Sequence, residues 1–163
     1  MDKFLARLST MPDLELAEMY KNCVRAIVEN TRFAAAAEEK IGYINAEFRK
    51  RRALADSGHI FIEMPDVGML STIGYRVGNG GERESLRRKL LDHVMTAELP
   101  LVDSLVYTRQ WGEPRSSKRL WKLLRTLEGL AAGAEGRASQ ALACTHWRED
   151  RDYVERTWRD NVT

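Results

Sequence analysis

The sequence predicts an all-α protein, an irregular bundle of six to seven helices in which an N-terminal α-hairpin precedes a larger helical module. Three observations carry that expectation. Apolar residues recur at the 3.6-residue spacing of an amphipathic helix through almost every segment. The four prolines, at positions 12, 65, 100 and 114, each fall at a joint between such segments. Hydrophobic residues make up 44% of the chain and charged residues 31%. That balance fits a folded, helix-rich protein and not a disordered one. A chain of 163 residues is about one domain. At that length roughly 70% of the unfolded surface can be buried. We read 1–163 as a single domain, with the hairpin over 1–56 and the module over 66–163.

The first helix is expected over 12–29, entered through Pro12 with Asp13 and Glu15 favourably placed in its first turn. Leu16, Met19, Tyr20, Cys23 and Ile27 form its apolar stripe. A second helix over 33–54 carries Phe33, Ala37, Ile41, Ile44 and Phe48 on one face. The run Arg49 to Arg52 at its end complements the helix dipole. Residues 57–66 read as a short extended linker, after which Asp66 can cap a short helix to Ile73. Glycines 74, 78, 80 and 81 form a turn, tightest at Asn79-Gly80. A helix over 82–95 then buries Leu86, Leu90, Leu91 and Val94 and stops at Leu99-Pro100. Asp103 is expected to cap a short helix to about Trp111, and Gly112-Glu113-Pro114 breaks the chain again. Ser116 or Ser117 caps a long helix that turns Leu120, Leu123, Leu124, Leu127, Leu130 and Ala131 inward, weakened at its end by Gly133 and Gly136. A last helix from about Ala138 carries Leu142, Trp147, Val154 and Trp158, with Trp147 as the expected core anchor.

Composition narrows the functional classes. Cys23 and Cys144 lie far apart and near no ligand-like cluster. That argues against a disulfide scaffold or a zinc module and for two buried thiols in a reducing cytoplasm. The N-terminal segment has no apolar signal core. No apolar run approaches the length of a membrane span, which needs about 18 residues. The expected setting is cytoplasmic, with no membrane partner. The formal net charge is only +2, but its distribution is uneven. Residues 66–126 hold eleven basic against seven acidic groups, whereas 1–65 hold ten of each and 127–163 hold five against seven.

That excess concentrates on the helix entered at Ser116. Arg115, Lys118, Lys122 and Arg125 recur at three- and four-residue steps, Arg119 flanks them, and no acid occurs between Pro114 and Thr126. Trp121 falls within the stripe, three residues from Lys118 and four from Arg125, and away from the leucine face. Cations neutralise phosphates, and an exposed indole can stack on a base or wedge into a groove. Arg83, Arg87, Arg88 and Lys89 on the preceding long helix could widen the patch. The same pattern also fits a solvated amphipathic face whose tryptophan packs under a neighbouring helix, or a surface for an acidic protein partner. The connection from Thr96 to Arg115 is too long for the standard turn of a helix-turn-helix.

Other constellations read as architecture. The glycine-rich segment from Gly74 to Gly81 lacks a preceding strand and a following Gly-Lys-Ser/Thr, and Glu82 and Glu84 sit where a phosphate would bind. His146, Glu149 and Asp150 share a helix face at metal-ligand spacing without further ligands, so no metal and no cofactor is expected. No Ser/His/Asp or Cys/His order stands out, and the chain is not expected to be an enzyme.

From about 70 to 158 the chain resembles a group of small, uncharacterised bacterial helical proteins, some of them associated with mobile elements and prophages. The likeness rests on Gly74-Tyr75-Arg76-Val77-Gly78, Arg87-Arg88 with Leu90-Leu91-Asp92, Glu98-Leu99-Pro100, Trp111-Gly112-Glu113-Pro114, Arg119-Leu120, and Trp147, Asp150 and Tyr153. The resemblance implies an all-helical module and a role in DNA transactions or in defence and counter-defence, and it brings no assigned activity. The function expected is a non-catalytic, regulatory or accessory nucleic-acid-binding protein, for DNA rather than RNA. Its contact surface would be Arg83, Arg87, Arg115, Lys118, Arg119, Trp121, Lys122 and Arg125. The alternative is an adaptor or inhibitor that engages an acidic protein surface.

Overall fold

The computed structural model describes residues 2–163, which form eight α-helices and one 3-10 turn, with no strand among the described residues. The helices are α1 (Asp2–Thr10), α2 (Asp13–Val28), α3 (Ala34–Asp56), α4 (Met69–Thr72), α5 (Glu84–Thr96), α6 (Leu105–Gln110), α7 (Ser117–Ala134) and α8 (Ala141–Trp158). The all-α expectation is met. The chain divides into two compact units, one of residues 1–74 with 99–108, the other of residues 75–98 with 109–163. The second unit thus begins at Tyr75 rather than at 66, and the stretch 99–108 belongs with the N-terminal helices.

In the first unit α2 and α3 pair as the expected hairpin, and α1 lies against α3. Leu16, Tyr20, Val24, Ile44 and Phe48 fill the space between the helices, with Tyr20 and Phe48 in tilted ring contact at 6.3 Å. Helix α1 has no counterpart in the sequence expectation. Its signal is the short stripe Phe4, Leu8 and Met11 at helical spacing, with Leu8 and Met11 buried and the Phe4 ring in edge contact with Tyr43 of α3. Arg51 corrects the reading of the basic run. It is buried, and donates to Glu47 at 2.8 Å, to Asp13 at 2.5 Å and to the carbonyl of Leu8 at 2.8 Å. Asp13 also accepts from the backbone of Glu63, so one first-turn acid ties α3 and the extended segment to the start of α2.

The joints differ from the sequence reading in two places. Helix α4 starts from Gly68, so Asp66 caps nothing there. In α6 the cap is Ser104, whose Oγ accepts from the backbone of Tyr107, while Asp103 sits in the left-handed region at φ 58°. The segments 65–69 and 103–107 run together: the Asp103 backbone donates to the carbonyl of Pro65, and the Tyr107 hydroxyl accepts from the backbone of Met69.

In the second unit α7 and α8 form the main helix pair, with α5 against α8. Leu86, Leu90, Leu91, Val94, Leu123, Leu127 and Val154 make the apolar interior, joined by Trp111 and Trp158. Two expected inward residues, Leu130 and Leu142, are exposed instead. Trp147 is only partly buried, packed against Ala131, Ala134 and Cys144, so the core tryptophans are Trp111 and Trp158. Both thiols are buried and free, as the sequence suggests, and burial pushes the Cys23 thiol above its ordinary pKa.

Buried polar groups knit this unit together. Asp150 is fully buried, and accepts from Arg87 at 2.7 and 3.3 Å and from the Tyr75 hydroxyl at 2.7 Å. Burial and the Asp150 carboxylate push the Tyr75 pKa upward, so the phenol stays protonated. Asp92 accepts from the Tyr153 hydroxyl at 2.7 Å and from the Trp158 indole at 3.0 Å, and burial with that carboxylate moves Tyr153 up to about 12. Gly78, at φ 75°, donates to His146 Nδ1 at 3.0 Å and lies where a Cβ would press on Ala143.

Candidate nucleic-acid interface

The start of α7 is built from a turn. Gly112 adopts φ 65°, a conformation in which an L-residue is strained. A Cβ there would come within 3.0 Å of the Lys118 side chain. Pro114 follows, and Arg115 takes φ 58°. Ser116 caps the helix by accepting from the backbone N–H of Arg119 at 3.1 Å, which satisfies one of the donors a helix start leaves open. Arg115 is held in its conformation by two backbone hydrogen bonds, donating to Met95 and accepting from Thr163.

Arg119 is a correction to the expected contact surface. Only 2% of it is exposed. Its guanidinium donates to the carbonyls of Trp111 at 2.8 Å, Gly112 at 2.7 Å, Ala97 at 3.0 Å and Val94. The last turn of α5 and the end of α6 leave carbonyls without helical partners, and a cation there meets both the hydrogen-bond need and the helix dipole. The Trp-Gly-Glu-Pro segment therefore has a structural meaning: it cradles Arg119.

Arg87 is a second correction. It is 2% exposed and committed to Asp150 and to the carbonyl of Glu82. Burial would lower its pKa, but the Asp150 hydrogen bonds and charge outweigh that and raise it. Removing one partner of such a buried pair typically costs ~3–5 kcal/mol. Arg83 is exposed but stands at the N-terminus of α5. The opposite end of α5 meets the first turn of α7. Arg87 therefore does not widen the patch as the sequence suggests.

What remains exposed on α7 is compact. Trp121 is 62% exposed, with the Arg125 guanidinium 5.9 Å from its ring centroid. Lys118 and Arg115 are exposed, and Arg115 stands 5.3 Å over the Trp158 ring. Lys122 is half-buried; its ammonium donates to Gln110 at 2.9 Å and lies 5.9 Å from the Trp111 ring. Arg125 also faces Glu128 at 3.7 Å, a surface pair of small energy. Gln110 has no signal in the sequence, because it comes from α6 and no spacing rule links it to Lys122. Lys118, Lys122, Arg125 and one indole thus share the outward side of α7, with Arg115 just ahead of its cap, and Leu120, Leu123 and Leu127 lie on the buried side.

His146, Glu149 and Asp150 do not come together as ligands. His146 accepts from Gly78, Asp150 is buried with Arg87, and Glu149 is exposed. Among the described residues no group of three His, Cys, Asp or Glu is placed to hold a metal ion, and no helix is long and apolar enough to cross a membrane. Comparison with known protein families, with characterised proteins and with solved structures finds no match.

Proposed function

We propose that this protein is a non-catalytic, cytoplasmic nucleic-acid-binding factor, regulatory or accessory in role, whose contact surface is the outward side of α7 with the residue before its cap: Arg115, Lys118, Trp121, Lys122 and Arg125. The observation that carries the reading is Trp121. It is 62% exposed on a long helix, between cations one turn away on either side. A side chain of that size leaves a large apolar surface in water beside phosphate-attracting charges. An indole that served only packing would be covered, as Trp111 is.

Affinity for DNA is expected to fall steeply with salt, with a log–log slope near −0.9 for each duplex phosphate contacted or about −0.7 on a single strand. Four cations allow about two to four such contacts. Changing Lys118, Lys122 and Arg125 together to glutamine should flatten the slope and weaken binding to all sequences, with circular dichroism unchanged, because none of the three is buried. A slope that stays the same in this triple variant would refute the assignment of the surface. Binding to an acidic protein in place of nucleic acid would move the same surface to the alternative role of adaptor or inhibitor.

A further inference from the structure

We infer that the nucleic acid bound by α7 is a single strand, held by stacking of one base on Trp121 and not by insertion of the helix into a duplex groove. The inference rests on the nucleic-acid reading of this surface and adds the substrate class to it.

Three features favour the single strand. The first is the environment of the indole. The Arg125 guanidinium stands over one face of the ring, and at 62% exposure much of the rest of Trp121 is open to solvent. A base laid on that open surface would be stacked on an aromatic platform backed by a cation, the arrangement that suits unpaired bases of any identity. In a duplex the bases already stack on each other, and an inserted side chain must first separate them.

The second feature is what the helix face lacks. Reading base edges in the major groove calls for side chains such as Asn, Gln or a bidentate Arg aimed from a helix that fits the groove. The outward positions of α7 over its first three turns are Ser117, Lys118, Trp121, Lys122 and Arg125, with no Asn or Gln among them, and the one arginine, Arg125, is engaged with the Trp121 ring and Glu128.

The third is length. The stripe from Lys118 to Arg125 covers two helical turns, or ~10 Å along the axis. That is the footprint of a few nucleotides, with Lys118 and Arg125 one turn to either side of the platform.

The test uses the intact protein and a fluorescein-labelled oligothymidylate of about a dozen nucleotides, free or annealed to its complementary oligoadenylate, at roughly 50 mM salt. Fluorescence anisotropy should show the single strand bound about tenfold or more tighter than the duplex. Trp121→Ala should weaken single-strand binding by roughly tenfold, and Trp121→Phe should restore most of it, since a phenyl ring still offers a stacking face. Duplex binding should be indifferent to both substitutions. Equal or tighter binding of the duplex would overturn the single-strand inference and leave the nucleic-acid reading standing, as would an unchanged single-strand affinity in Trp121→Ala. Absence of binding to either oligonucleotide would end both.

Discussion

At the residue scale the arginines separate into two kinds that sequence spacing cannot distinguish. Arg119 and Lys118 are neighbours in the chain, yet one is sealed beneath the turn at Gly112 and the other is exposed. The guanidinium's planar fork of donors serves the four carbonyls around Arg119, and an ammonium of the same charge cannot reach them all. Arg119→Lys should therefore cost roughly 3 kcal/mol, a fall in melting temperature of about 6–12 °C for a chain this long, while leaving the salt dependence of nucleic-acid binding intact. A melting temperature within a degree or two of wild type would refute the role given to the four carbonyls. His93, on α5, responds to the same charge. Burial, with the nearby Arg119 cation, lowers its pKa to about 4, against ~6.5 in an unfolded chain. The folded state thus holds fewer protons than the unfolded one between those values. Stability from this group is complete above about pH 6.5 and declines as pH falls towards 4, by up to ~3 kcal/mol. Denaturant melts at stepped pH should show a shallower decline in His93→Gln, and parallel curves would contradict the coupling.

At the element scale, most of the architecture is legible in the sequence because helical periodicity and breakers act locally. The bounds of α2, α3, α5 and α7 lie close to those expected from stripe and cap residues, and Ser116 caps α7 as its position implies. What is not legible depends on long-range geometry. Ser104 rather than Asp103 caps α6 because the chain turns left-handed at Asp103. Trp111 rather than Trp147 anchors the core because the turn after α6 folds its indole inward, and nothing in the local pattern of a helix end reports that. The candidate surface is half legible. Periodicity places Lys118, Trp121, Lys122 and Arg125 together, but cannot show that Arg119 and Arg87 are taken up by backbone carbonyls and a carboxylate. The two tryptophans beside α7 give a direct check, since Trp111 is covered and Trp121 is exposed. Trp111→Ala should destabilise by roughly 3–5 kcal/mol by emptying a packed site, whereas Trp121→Ala should leave the melting temperature nearly unchanged. Comparable losses in the two variants would mean that Trp121 is covered.

At the scale of the whole molecule, the order of the chain and the order of packing differ. The first unit is completed by residues 99–108, which the chain reaches only after forming α5. In that stretch Leu99, Leu101 and Val102 are buried, and the Thr108 hydroxyl closes a reciprocal pair of hydrogen bonds with the backbone of Val102. Tyr107 and Asp103 bond to the 65–69 segment. Burying three aliphatic side chains contributes about 1.5–3 kcal/mol each, so the stretch supplies on the order of 5–8 kcal/mol, comparable to the entire stability of a small domain. A fragment of residues 1–74 lacks all of it and is only about seventy residues long, a size at which a helical core is already marginal. Residues 75–163 instead contain every part of the second unit, including the Arg87–Asp150–Tyr75 network and the Arg119 cradle, with 99–108 as an insertion between α5 and α7. Loop length costs little once the ends are held, and here α5 and α7 are held by Arg119 itself. The fragment 75–163 should accordingly show a helical spectrum and a cooperative thermal transition, and should retain the salt-dependent binding that belongs to α7. The fragment 1–74 should melt without a cooperative transition, or gain one only when a peptide of residues 99–108 is added in excess. A cooperative melt from 1–74 alone would show that the returning segment is dispensable, and a featureless melt from 75–163 would show that the second unit cannot hold its core without the first.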